Sequence, residues 1–192
     1  MEIKHQLHAR KEQIKHTFKQ FLAKHWRIVI ALVIIIGMLL FFKKALVLLV
    51  FIGFNALVAL IWMLFQNRSI GLEFVLFTSV VTMFAYGVKP AIFLLTVSLL
   101  IHNYITMSMT LNSLLNIPIG IVCLLIGIFF TGFGIVKVGI GLTILFNLIF
   151  TLLVLFLKTG SLARRLVYFA TNLAFNWFLF SVLGPFLVSV LG

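Results

Sequence analysis

The sequence predicts an all-α fold, a polytopic transmembrane helical bundle with six core helices plus one N-terminal hydrophobic segment. Composition is the first observation: 64% of the residues are hydrophobic and 9% are charged, a balance typical of a chain surrounded by lipid. The second is arrangement, because long apolar runs follow Arg27 almost without interruption. The third is periodicity, since no run alternates apolar and polar residues as the strands of a membrane barrel would.

Residues 1–27 are predicted to form a basic amphipathic helix, and residues 28–192 to form the transmembrane domain. Apolar side chains in the leader recur at helical spacing between basic ones. We expect its cations to bind anionic lipid headgroups, each contributing about 1 kcal/mol near a charged surface. A solvated extension of the first span and an organellar transit peptide are the alternatives. The headgroup-binding residues would be Lys4, Arg10, Lys11, Lys15, Lys19, Lys24 and Arg27.

Seven apolar segments follow the leader, and each ends at a charge, a glycine or a proline. The first and third are the shortest, at roughly 22 Å of helix, so flanking residues must extend them across a core of roughly 30 Å. The segments are 28–42, 45–65, 72–86, 90–108, 118–136, 138–157 and 166–191.

The three prolines predict helix boundaries. We expect Pro90 and Pro118 to begin helices, because a missing N–H has no consequence in a first turn. Pro185 lies inside the last segment and should kink or end its helix near Gly184.

Glycines recur at intervals of seven, which places them on one helix face and predicts close helix packing. We expect the chain to turn near Lys137, so that two helices share this stripe. Its members are Gly120, Gly127, Gly134 and Gly141, with Gly132 and Gly139 as a second pair.

The formal net charge of +12 comes mostly from residues that flank the spans. Lipid headgroups and the positive-inside rule explain such charges, so we expect lipid and other membrane subunits as partners and no nucleic acid. Counting cations does not decide whether segment 28–42 crosses. We expect a multi-pass protein of the cell membrane with a cytoplasmic N-terminus.

Catalytic and metal chemistry have little support in the sequence. The single Cys123 excludes an intrachain disulfide, and four of the five histidines lie in the leader without a metal-ligand spacing. There is no GxSxG motif and no pair of carboxylates. We therefore expect no metal, no cofactor and no enzymatic activity.

Polar residues of the spans gather toward the loops 66–71, 109–116 and 158–165, which lie on one side of the membrane. Polar groups that face lipid are unfavourable, so these side chains should point inward and form a one-sided pocket. The predicted substrate-binding residues are Glu73, His102, Asn103, Asn172 and Asn176.

Each of these residues also has a purely structural interpretation. Glu73 can pair with Arg68 or cap a helix, and His102 can make one interhelical hydrogen bond. Asparagines such as Asn172 and Asn176, four residues apart on one helix face, often hold helices together.

From Ala45 onward the layout resembles the substrate-binding S components of energy-coupling-factor transporters and the similarly folded rod-shape protein MreD. The resemblance implies six helices and a subunit that binds or transports a small solute, with a site opening on the outer face. The resemblance to MreD implies instead a noncatalytic scaffold or assembly subunit of a larger membrane complex. The matching text is Gly71-Leu72-Glu73-Phe74, Tyr86-Gly87-Val88-Lys89-Pro90-Ala91 and Thr171-Asn172-Leu173-Ala174-Phe175-Asn176.

Overall fold

The computed structural model describes residues 26, 28, 30–31, 33–35, 37, 42–64, 74–157 and 161–192. The chain divides into two units, Met1–Ala45 and Leu46–Gly192. In the first unit every described residue is helical. Glu73 and the seven predicted headgroup cations, Lys4, Arg10, Lys11, Lys15, Lys19, Lys24 and Arg27, lie outside the described residues.

The described part of the chain is helical and contains no strand, which confirms the all-α prediction. A short 3-10 turn, Thr131–Phe133, precedes the fifth helix. The helices are α1 (Phe42–Leu64), α2 (Val75–Tyr86), α3 (Val88–Ile105), α4 (Leu111–Ile128), α5 (Ile135–Phe156), α6 (Leu162–Val182) and α7 (Gly184–Leu191).

Three of these helices, α1, α3 and α5, are each long and apolar enough to cross a membrane. The pair α6 and α7 passes the same test together, with a bend of 48° between them. Counting that pair as one bent span leaves six core helices in the described part of the chain, as predicted. The protein is therefore an integral membrane protein built as a helical bundle.

Helix α2 is the most deeply buried element. It has 12 residues, roughly 18 Å at about 1.5 Å per residue, and all nine residues from Val75 to Met83 are buried. It contacts α3, α4, α5, α6 and α7, and Asn55 of α1 bonds to its Thr78. Protein therefore covers both the apolar residues and the three hydroxyl residues Thr78, Ser79 and Thr82 of a helix too short to span a membrane alone.

The start of α4 differs from the prediction. The helix begins at Leu111, so Pro118 lies inside it rather than in its first turn, and the expected loop 109–116 is mostly helical. A capping box explains the earlier start: Ser113 N–H donates to Thr110 Oγ1 at 3.3 Å, and Thr110 N–H donates to Ser113 Oγ at 2.9 Å. These two bonds satisfy the N–H groups of Thr110 and Ser113, which have no partner within the helix because they lie at its beginning.

The other two prolines behave as predicted. Pro90 lies in the first turn of α3, which follows Gly87 at φ +89°. Pro185 is the second residue of α7, and α6 ends at Val182, so the last segment is bent where the sequence indicated.

The glycine stripe is shared by two helices, as predicted, and the chain turns shortly before Lys137, at Gly134 with φ +82°. Close packing holds for three of its members. A Cβ on Gly120 would lie 2.7 Å from Leu95 Cδ1, and one on Gly127 would lie 2.7 Å from Leu142 Cδ1. A Cβ on Gly139 would overlap the Phe180 ring. The remaining members, Gly132, Gly134 and Gly141, have no atom within 4 Å of that position.

Candidate functional site

A row of polar side chains runs along one face of α6. Arg165, Tyr168, Asn172 and Asn176 are three or four residues apart, which is the spacing of one helix face. Arg165 and Tyr168 are half-buried, whereas Asn172 is 3% exposed and Asn176 is 0% exposed. We call this row the α6 polar stripe. It leads from the loop end of α6 into the interior of the bundle.

The inner half of the α6 polar stripe is bonded to α5. Asn147 Nδ2 donates to Asn172 Oδ1 at 2.9 Å and to the Thr143 carbonyl at 2.8 Å. Asn176 Nδ2 donates to the Asn172 carbonyl at 3.0 Å and to Asn172 Oδ1 at 3.3 Å. Asn172 Oδ1 thus accepts from both neighbours, and the Asn147 bond joins the two helices.

The side-chain oxygen of Asn176 is the exception. Asn176 Oδ1 is buried and accepts no hydrogen bond within the described part of the chain. Reversing the amide would aim its oxygen at the Asn172 carbonyl, so the bonds of Nδ2 determine its orientation. A buried acceptor without a donor costs about 1–3 kcal/mol. Among the described residues this oxygen is therefore an acceptor suited to a further donor group.

The outer end of the α6 polar stripe carries a cation. The guanidinium carbon of Arg165 lies 4.4 Å from the centroid of the Phe150 ring and 6.0 Å from that of Tyr168. Phe150 belongs to α5 and is 5% exposed. A cation over an aromatic face is attracted by the ring quadrupole, so this contact joins the beginning of α6 to α5.

A second polar cluster joins α1, α2 and α3. Asn55 Nδ2 donates to Thr78 Oγ1 at 3.0 Å and to Ser98 Oγ at 3.1 Å. All three residues are at most 2% exposed. Asn55 Oδ1, like Asn176 Oδ1, accepts no bond from a described residue. We call these three residues the Asn55 cluster.

The Asn55 cluster was not predicted from the sequence. A signal was present, because Asn55 is the one amide in the apolar segment 45–65. Thr78 and Ser98 gave no such signal, because hydroxyl side chains in membrane helices commonly bond to their own helix. Thr78 Oγ1 does so, donating to the Phe74 carbonyl at 3.0 Å.

An aromatic row joins α1 and α6 at the residue that precedes α2. The Phe74 ring makes edge-to-face contacts with Phe54 of α1 at 4.8 Å and with Phe175 of α6 at 4.9 Å between centroids. Phe54 precedes Asn55 and Phe175 precedes Asn176 in the chain. The residue before each buried amide therefore contacts Phe74 at the beginning of α2, one from α1 and one from α6.

The predicted site residues divide between two places. Asn172 and Asn176 share the α6 polar stripe. Asn103 is buried near the end of α3, where its Nδ2 donates to the Ser113 carbonyl of α4 at 3.3 Å. His102 is half-buried beside it, and its carbonyl accepts from Thr106 Oγ1 at 2.8 Å. With Glu73 outside the described residues, the five-residue pocket stays a prediction.

An open cavity of about 540 Å³ lies against α4, the 3-10 turn and α5. Its lining includes Phe130, Gly141 and Leu148, and Lys137 is its one charged side chain. It shares no residue with the α6 polar stripe or the Asn55 cluster.

Comparison of the chain with protein-family models, with curated proteins and with solved structures gives no match. The resemblance to S components and MreD therefore stays a prediction.

Proposed function

We propose that this integral membrane protein is a subunit that binds or transports a small polar solute, with the inner end of the α6 polar stripe as its site. The observation that carries the proposal is Asn176 Oδ1, a buried acceptor to which no described residue donates. Buried polar groups in proteins are nearly always hydrogen-bonded. A solute bearing an N–H or O–H group would supply the missing donor.

The rest of the α6 polar stripe supports a path to that acceptor. Arg165 and Asn176 are separated by roughly 16 Å of helix at about 1.5 Å per residue, too far for one small solute to contact both. Arg165 would attract an anionic or carbonyl group at the outer end, and Tyr168 would offer a hydroxyl on the way. Asn172 and Asn176 would then orient the donor group at the inner end.

The S-component resemblance fits this proposal, and the outward or inward direction of the stripe depends on whether segment 28–42 crosses. A cytoplasmic N-terminus in the cell membrane remains our prediction. We also maintain that the subunit is not an enzyme, since the stripe consists of amides, a phenol and a guanidinium without a nucleophile and base pair.

A noncatalytic scaffold, as in the MreD resemblance, is the second candidate. The observation that favours it is that the amides join helices: Asn147 bonds α5 to α6, and Asn55 bonds α1 to both α2 and α3. The outer surface of α1 also exposes large apolar side chains such as Leu49 and Leu64, at 67% and 75%. Lipid or another membrane subunit would cover them.

Ligand-induced stabilisation separates the two functions. The full-length protein, purified in mild detergent, is heated with pools of small polar solutes, and any hit is confirmed by native mass spectrometry. A solute at one hundred times its Kd should stabilise the folded state by about 2.7 kcal/mol. Asn176→Leu should abolish the effect, while Asn55→Leu, which removes an equally buried amide, should preserve it.

Two results would oppose solute binding. One is the absence of any stabilising solute from the pools, together with a membrane subunit that co-purifies in stoichiometric amount. The other is an equal loss of stabilisation in Asn176→Leu and Asn55→Leu, which would indicate a general effect on the fold.

Access along the stripe is tested separately. Cys123 is 0% exposed, so it should react slowly with a water-soluble thiol reagent. A cysteine introduced by Tyr168→Cys should react readily, and one introduced by Ser98→Cys in the Asn55 cluster should not. Equal protection of both positions would show that the stripe is closed to water.

A further inference from the structure

The cavity beside α4 and α5 is a groove with an apolar floor and apolar walls. Val138 and Leu142 form the floor and are 6% and 4% exposed. Phe130, Phe133 and Leu148 rise beside it and are 50%, 64% and 47% exposed. A wall of large apolar side chains around an open volume of about 540 Å³ suits an aliphatic ligand.

The length of the groove fits one leaflet of a bilayer. Lys137 and Leu148 mark its ends along α5, and the helix between them rises roughly 16 Å. The hydrocarbon core of a bilayer is roughly 30 Å thick, so one leaflet occupies about half of it. Gly141 keeps the middle of the groove open, because no atom lies within 4 Å of the place where its Cβ would be.

The charge at one end of the groove favours an anionic group. Lys137 is exposed and is the one charged side chain in the lining. The three acidic residues of the chain are Glu2, Glu12 and Glu73, so the described residues contain no carboxylate side chain that could neutralise it. Gly134 caps α5 without a side-chain hydrogen bond, so the first N–H groups of the helix also favour an anion nearby.

We propose that this groove binds an anionic phospholipid, with one acyl chain between α4 and α5 and the phosphate at Lys137. The Lys137 stem follows the apolar wall and its ammonium reaches the headgroup region. The lipid belongs to the leaflet at which the α4–α5 connection lies. This inference is independent of the solute site, with which the groove shares no residue.

Native mass spectrometry of the full-length protein tests the proposal with phosphatidylglycerol and phosphatidylcholine of identical acyl chains. The wild-type protein should retain phosphatidylglycerol more tightly. Lys137→Gln should weaken that retention about fivefold, since one basic residue near an anionic surface contributes about 1 kcal/mol. Lys89→Gln, which removes an exposed lysine from the first turn of α3, should leave it unchanged.

A second pair of variants tests the acyl chain rather than the charge. Gly141→Leu places a side chain in the groove at a position where its Cβ meets no atom within 4 Å, and it should lower retention of both lipids. Gly53→Leu is the matched control, because Gly53 is also an exposed helical glycine with nothing within 4 Å of its Cβ position.

Three outcomes would overturn the proposal. Equal retention of the two lipids would show that Lys137 does not select an anion. Equal effects within each pair of variants would indicate bulk lipid around the protein rather than a site. If Gly141→Leu changes the oligomeric mass while lipid retention stays the same, the groove holds a second copy or a partner helix.

Discussion

The two buried amide clusters differ in how they connect to the surface. Asn55 bonds to hydroxyls on two neighbouring helices, with Thr78 and Ser98 both fully buried around it. Asn176 is bonded to Asn172, from which the α6 polar stripe continues to half-buried Tyr168 and Arg165. Each amide leaves one oxygen without a donor among the described residues. Similar amide hydrogen bonding therefore forms a fully buried helix contact at Asn55 and the inner end of the α6 polar stripe at Asn176.

Because Asn55 and Asn176 both leave such an acceptor, the unsatisfied oxygen alone does not distinguish the proposed site. What distinguishes Asn176 is the row of polar side chains on the same face of its helix. We therefore expect that contacts between α5 and α6 affect the α6 polar stripe more than the contacts that α1 makes with its neighbours.

The largest expected effect is at the close approach of α5 and α6. Gly139→Ala would press a Cβ into the buried Phe180 ring, so we expect a loss of about 2–3 kcal/mol in unfolding free energy from overpacking. Gly141→Ala, where the space is open, should stabilise the helix by up to about 1 kcal/mol through the lower backbone entropy of alanine. Unfolding in detergent micelles measures both. An unfolding free energy that Gly139→Ala leaves unchanged would mean that α5 and α6 can separate freely.

Asn172→Leu should have the next largest effect. It removes the shared acceptor Oδ1 and leaves one N–H each on Asn147 and Asn176 without that partner. We expect a loss of about 1–2 kcal/mol, near the upper end for side-chain bonds between membrane helices. The same unfolding assay applies, and a double variant with Asn147→Leu should restore part of the loss. A fully additive double variant would argue against the shared bond.

Asn55→Leu should destabilise less, by about 0.5–1 kcal/mol. The substitution also removes the unsatisfied Oδ1, and Thr78 keeps its bonds to the carbonyls of its own helix. Comparing its unfolding free energy with that of Asn172→Leu sharpens the contrast between the two clusters. A loss in Asn55→Leu larger than that in Asn172→Leu would reverse the ranking proposed here.

The smallest expected effect is at the outer end of the stripe. Arg165→Gln removes the cation over Phe150 and should lower stability by about 0.5–1 kcal/mol. Arg164→Gln alters an exposed neighbour in the same helix turn and should have no measurable effect. If the two variants unfold alike, the ring contact does not hold the helix ends.

The sequence predicts which residues of the site share a helix face, because that depends only on helical periodicity. Spacing placed Asn172 and Asn176 on one face of α6, and the structure puts both in one bonded row. Periodicity does not say which helix lies opposite, so the bond to Asn147 was not predicted. Asn103 was predicted beside the same pocket, yet it bonds across to the beginning of α4.

The sequence by itself determined that lipid surrounds the protein and that its apolar segments are helices. Lipid permits only backbones that satisfy their own hydrogen bonds, so apolar runs of this length must be helices, and Pro185 must bend the last of them. Only the tertiary structure decided that short α2 is enclosed and that the amides form two clusters. The physical reason is that nearly every residue in these spans is apolar. A uniformly apolar helix has no preferred face, and close approach at residues such as Gly139 selects its neighbours.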